Sequence, residues 1–97
     1  MILEVAILNV RPGQEAAFED AFRDARGLIE ASPGFGGLEV RRCVETSNRY
    51  ILLVGWRAIE DHTVRFRQSA DYQEWRKRLH HFYDPFPTVE HYQEAIA

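Results

Sequence analysis

Three of the four histidines, both tryptophans and several other aromatics fall within Trp56 to Phe82, WRAIEDHTVRFRQSADYQEWRKRLHHF. His62 is the foremost candidate for chemistry. It recurs with Ile59 and Phe66 at helical spacing, which places a titratable ring on an otherwise apolar stripe. An imidazole with an unperturbed pKa of ~6.5 suits a general base or a hydrogen-bond donor near neutrality. The competing interpretation is a satisfied, partly buried histidine that fixes its helix against a strand. His91, on the last predicted strand, carries the same two alternatives. Trp56, Phe66, Tyr72 and Trp75 supply aromatic surface for either a ligand pocket or a core. Arg42 shares the apolar face of its strand, where it could bind an oxyanion, pair with Glu4, or pair with a second copy of the chain.

Other chemistries find less support. His80 and His81 are adjacent, so on a helix they diverge by ~100° and cannot chelate one ion from one face. No Cys/His constellation has zinc spacing, and no metal is expected. Gly34, Gly36 and Gly37 precede a strand rather than a helix, which is not the setting of a phosphate loop. Cys43 is the one cysteine. It has no histidine placed beside it for nucleophilic catalysis.

The elements that must position these residues follow from periodicity. Ile2 to Val10 reads as a strand that is apolar on both faces except at Glu4, which needs solvent or a partner. Arg11-Pro12-Gly13 ends it and opens a helix near Pro12 that runs to Ala31, with Ala17, Phe18, Ala21, Phe22, Ala25, Leu28 and Ile29 on one stripe. Gly27 weakens this helix, and its small size suggests close packing on the sheet. Ser32-Pro33-Gly34 stops it. Phe35 to Val44 is a second strand, with Leu38, Val40 and Val44 opposite Glu39, Arg41 and Cys43. A turn over Glu45 to Arg49 leads into Tyr50 to Trp56 as an antiparallel neighbour. Two short helices follow. Ser69 caps the second, Asp71 lies in its first turn, and Tyr72, Trp75, Leu79 and Phe82 repeat along one side. Pro85 and Pro87 end the helical segment, and Thr88 to Ala95 alternates as a last strand.

The order β-α-β-β-α(α)-β is the ferredoxin-like split βαβ arrangement, an α+β fold over residues 1–97 as one domain. A four-stranded antiparallel sheet with helices on one face leaves the other face bare, and an apolar bare face predicts a homodimer through the sheets. Ile2, Ala6, Leu8 and Val10, with Leu38, Val40 and Val44, are the expected bare set.

With 97 residues the chain has room for one core. Its net charge of −3 argues against non-specific nucleic-acid binding. The basic run Arg65, Arg67, Arg76, Lys77 and Arg78 is interleaved with acids and reads as a solvated helical surface. A lone cysteine, no basic leader and no long apolar run predict a cytoplasmic protein without a membrane segment.

The element order, the Pro33-Gly34-Phe35 entry to the second strand, Trp56 followed by His62, and Phe66-x-x-Ser69-x-x-Tyr72-x-x-Trp75 resemble the antibiotic biosynthesis monooxygenase family. The likeness covers nearly the whole chain. It implies a dimeric α/β barrel with a pocket between each sheet and its helices. Members of known chemistry oxygenate polycyclic phenols or quinols with dioxygen and without metal or flavin. The resemblance thus implies no cofactor and a small aromatic substrate, for which the residue pattern offers His62 or His91 as the catalytic base and Trp56, Phe66, Tyr72, Trp75 and Arg42 around the substrate. A haem-degrading branch needs an asparagine on the first strand, a helical tryptophan and a histidine ligand. Asn9 lies late in its strand, Arg65 and Phe66 stand in the tryptophan region, and Trp75 and Arg76 in that of the histidine, so haem chemistry is not the expectation. The alternative to an oxygenase is a non-enzymatic binding or structural barrel, which would have its pocket filled by its own aromatic side chains.

Overall fold

The computed structural model describes residues 1–97. Strands β1 (Ile2–Asn9), β2 (Phe35–Arg42), β3 (Arg49–Trp56) and β4 (Val89–Tyr92) form one antiparallel sheet in the order β2-β3-β1-β4. Helices α1 (Glu15–Glu30) and α2 (Ala70–Leu79) pack on each other and cover one face. A single π-turn, Asp61–Phe66, links β3 to α2, and a 3₁₀ turn, His80–Phe82, follows α2. This is the expected ferredoxin-like α+β fold.

The core forms where the two periodicities meet. Ala6, Leu8 and Val10 leave β1 on one side at period two, and Tyr50, Leu52, Val54 and Trp56 do the same from β3. Phe18, Phe22, Ala25 and Ile29 of α1 and Trp75 and Leu79 of α2 meet them at helical spacing. All of these side chains belong to one buried cluster. Phe18 lies 4.9 Å from Tyr50 and 5.7 Å from Phe82, centroid to centroid, which ties α1 to both the sheet and the 3₁₀ turn.

Several expectations are corrected. The helices cover the even-numbered face of β1, so Ala6, Leu8 and Val10 are core and cannot be the bare set. Leu38 and Val40 pack against the same core, and Val44 lies beyond β2 at 93% exposure. The bare face carries Leu3, Val5 and Ile7 of β1 with Ile51 and Leu53 of β3, their register partners or neighbours. A strand that is apolar on both sides conceals which side the helices choose.

Helix α1 starts at Glu15 and not near Pro12, because Gly13 takes φ +89° and Gln14 donates to the Arg11 carbonyl in a separate turn. Gly27 is exposed on α1 with nothing near a would-be Cβ, so it serves no close packing. Ile59 is exposed and precedes the π-turn, off the stripe that His62 and Phe66 form. β4 is shorter than expected, ending at Tyr92.

Candidate functional site

Glu4 is the polar exception on the core face of β1, and only 4% of it is exposed. Its cross-strand neighbours are Val54 of β3 and His91 of β4. Its Oε1 accepts a 2.9 Å hydrogen bond from the Trp56 indole Nε1. The same oxygen lies 3.4 Å from His62 Nε2. His62 Nδ1 in turn is 2.8 Å from His91 Nε2. The Trp56 ring stacks on His62 at 5.3 Å with 15° between the planes. Glu4, His62 and His91 therefore form one polar row, hydrogen-bonded between the histidines and in 3.4 Å contact at Glu4, with Trp56 against its buried end.

His62 reaches this row because the chain leaves β3 through a widened turn. Arg67 N–H donates to the His62 carbonyl, five residues back, the signature of a π-turn. Asp61 anchors the corner. It is buried, accepts from Ala58 N–H at 3.2 Å and pairs with Arg57 and Arg65, each at 3.6 Å. Gly34, at φ +84°, packs directly on its carboxylate, and a Cβ there would overlap Asp61. Ser69 then starts α2 by accepting from Tyr72 N–H at 3.1 Å, as its side chain predicts.

These elements form a partly open cavity of about 360 Å³ between the sheet and α2. Phe66, Tyr72, Trp75, Tyr83 and Phe86 give it aromatic walls, and Glu4, His62, Arg67 and His80 its polar points. Of the residues expected around a substrate, Phe66, Tyr72, Trp75 and His62 line it. Trp56 is fully buried and touches it only through Glu4, and His91 stands behind His62. Arg42 lies elsewhere. It spans Ser47 carbonyl at 2.6 Å and Glu19 at 3.7 Å, over the Tyr50 ring, in a wider surface depression of about 620 Å³ between α1 and β2. Its partner is thus Glu19 and not Glu4. The depression is larger, but every arginine lining it already meets a carboxylate, so the smaller cavity is the better chemical site. Sequence reasoning assigned no site role to Glu4, Asp61 or Arg67. The signal for Glu4 was present as a charge on an apolar strand face.

Burial sets the charge states. Loss of hydration pushes the Glu4 carboxyl up, opposed by the Trp56 N–H and the Arg67 guanidinium. Loss of hydration, with Arg67 and His91 nearby, pushes His62 down to about 3. His91 is lowered for similar reasons, burial first and Arg67 second. A carboxylate 3.4 Å away would by itself favour an imidazolium. Desolvation prevails here, because Glu4 takes up a proton before His62 does as pH falls. A value lowered this far leaves His62 neutral but a weak proton acceptor, which removes the premise that its ordinary pKa suits it as a base. Arg67 acts on all three groups and, unlike Arg57 and Arg65, has no carboxylate within 4 Å. No group of three or more His, Cys, Asp or Glu side chains converges as a metal site, and no helix is long and apolar enough to cross a membrane.

Comparison with known proteins places this geometry among relatives. The family model described as antibiotic biosynthesis monooxygenase matches residues 1–78. An uncharacterized Bacillus subtilis protein, YczJ, is 48% identical over 95 residues, covering 98% of this chain and 100% of its own. A Bordetella bronchiseptica crystal structure, named as a candidate antibiotic biosynthesis monooxygenase, is 41% identical with a TM-score of 0.92, covering 98% of this chain and 97% of its own. A point mutant of SnoaB, a cofactor-independent oxygenase from Streptomyces nogalater, shares the fold at a TM-score of 0.72 and 20% identity, over 99% and 93% of the two chains.

The depressed His62 has a stability consequence whose sign is fixed. The unfolded chain binds a proton at its ordinary value of 6.5, whereas the folded chain resists protonation until about pH 3. The contribution is present above 6.5 and is lost as pH falls through that window, at roughly 1.4 kcal/mol per pH unit. Glu4 has the opposite sign, present below its ordinary value and lost as pH rises through its raised folded value. In urea unfolding, the margin by which wild type exceeds His62→Gln should narrow steadily from pH 7 to pH 4. The His62 ring resonances should meanwhile stay those of a neutral imidazole. A His62 titration near 6.5 would contradict the account.

Proposed function

The chain belongs to the antibiotic biosynthesis monooxygenase family, and on that premise we propose that it is a cofactor-independent monooxygenase of a phenol or quinol built on one or two rings. The observation that carries this reading is an aromatic-walled cavity that ends on Glu4, His62 and Arg67. At about 360 Å³ it is at the small end of the ~300–1,000 Å³ typical of ligand sites, which favours a compact substrate over an extended polycycle. That the cavity is not filled also supports a reaction site over a barrel packed with its own side chains.

The chemistry needs little from the protein beyond deprotonation and a dry, oriented site. A substrate hydroxyl loses its proton to the polar corner. The resulting anion gives one electron to dioxygen, and the radical pair recombines into a carbon–oxygen bond. The peroxide then breaks, one oxygen staying in the product and the other leaving as water with two hydrogens from the substrate. No external reductant enters the balance. Arg67 faces the anion and stabilises the charge as it develops. Phe66, Tyr72 and Trp75 hold the ring flat and exclude water.

The test is oxygen uptake with 1,4-naphthohydroquinone and benzohydroquinone in chelator-treated buffer. Uptake above the uncatalysed rate, lowered at least ~10-fold when the Trp75 wall is truncated in Trp75→Ala, is expected. No uptake with or without added metal would make the cavity a binding site and not a reaction chamber.

We also propose a homodimer through the bare sheet face. Leu3, Ile7 and Tyr92 are 39%, 42% and 50% exposed there, beside the half-buried Val5, Ile51 and Leu53. About 800 Å² per subunit is enough for a specific interface. Ile7→Asp would put an unpaired charge in that layer and should convert a micromolar dimer to monomer in sedimentation equilibrium, by at least ~100-fold in Kd. A wild-type monomer would sink the dimer.

A further inference from the structure

We infer that Glu4 is the proton acceptor of this site, its free oxygen Oε2 taking the hydroxyl proton of a bound phenol or quinol. The inference rests on the oxygenase reading above and names the base within it. Both protein contacts of Glu4 engage Oε1, at 2.9 Å from Trp56 Nε1 and 3.4 Å from His62 Nε2. No fully buried side-chain oxygen or nitrogen lacks a hydrogen-bond partner, so Oε2, which has none in the protein, is not fully buried. The space that Glu4 lines is the aromatic cavity.

His62 cannot take this part without breaking its own contacts. Its Nδ1 is hydrogen-bonded to His91, and its Nε2 is turned to Glu4 Oε1 at 3.4 Å. His62 is a positioning residue. With Nε2 3.4 Å from Oε1 and Nδ1 tied to His91 at 2.8 Å, its ring lies against Oε1 and leaves Oε2 for the ligand.

The charged and titratable groups around Glu4 are His62 from the π-turn, Arg67 just after it and His91 from β4, with His80 at the α2 end of the same cavity. Burial raises the proton affinity of Glu4 above that of an ordinary carboxylate, which makes it the stronger proton acceptor of the row. The balance is simple. The substrate O–H bond breaks, an O–H bond forms on Oε2, and the electron pair stays on the substrate oxygen facing Arg67. The carboxylic acid then returns its proton to the peroxide oxygen that departs as water, alongside the hydrogen lost from the oxygenated carbon. Glu4 is an ionised carboxylate again at the end of the cycle.

Two measurements test this. The first is oxygen uptake with 1,4-naphthohydroquinone across pH 5–9. Glu4→Gln keeps the shape and the acceptor for Trp56 but cannot take a proton. It should lower kcat by about 100-fold or more, leave KM within a few-fold, and lose the acid limb of the pH profile. His62→Gln should keep that limb. Glu4→Gln turning over like wild type, with the limb intact, overturns the inference. The second measurement needs no turnover and no variant. Glu4 and Asp61 are the buried carboxyl groups, and Asp61 is paired with arginines away from the cavity. An infrared difference spectrum of wild type with and without 1-naphthol should show one perturbed buried carboxyl vibration. Its absence at millimolar 1-naphthol overturns the inference even if Glu4→Gln does not fold. If wild type consumes no oxygen, the oxygenase reading falls, and the infrared spectrum alone decides whether Glu4 meets the hydroxyl.

Discussion

One buried carboxylate organises this molecule. Glu4 sits on the core face of β1, where an unpaired charge would cost several kcal/mol. The Trp56 indole and the His62 ring meet it there, and His91 completes the row. Those partners come from β3, the π-turn and β4, so one polar contact joins three segments to β1. Trp56 must end β3 with its ring turned inward. The turn after it must widen to bring His62 back over that ring, and β4 must pair with β1 in the register that sets His91 beside Glu4. The Asp61–Gly34 contact holds the corner that makes this possible.

The same burial assigns the chemistry. Removing water pushes a carboxyl up and an imidazole down, so it reverses the ordinary order of proton affinity between the two groups. Glu4 gains affinity for a proton while His62 loses it. The histidine then serves as a neutral, directional link between Glu4 and His91. Arg67 adds a positive charge at the same cavity that no carboxylate within 4 Å pairs. The aromatic walls do the rest by shape.

The legible part of this protein was its architecture. Helical stripes in α1 and α2, the Ser69 cap and the β2–β3 turn were readable, because each rests on local spacing and propensity. The faces of β1 were not, since apolar residues occupy both sides and only the helices break the tie. His62, Phe66, Tyr72 and Trp75 were recognised as inward-facing because they recur with apolar neighbours. Glu4 was noticed as an anomaly and given no role, since its partners Trp56 and His62 lie more than half the chain away and only the fold brings them together. Arg42 looked functional on strand alternation, yet Glu19 of α1, far off in sequence, claims it. The π-turn was invisible for a different reason. It adds one residue to a turn without changing the residue types that would flag a helix.

A crystal structure of the chain with 1-naphthol bound tests the central claim most directly. The account predicts the ring between Phe66, Tyr72 and Trp75, its hydroxyl within ~3.0 Å of Glu4 Oε2 and near Arg67, with the Glu4–His62–His91 row intact. A ring seated in the depression beside Arg42, or a hydroxyl bonded to a His62 nitrogen released from Glu4 or His91, would contradict it.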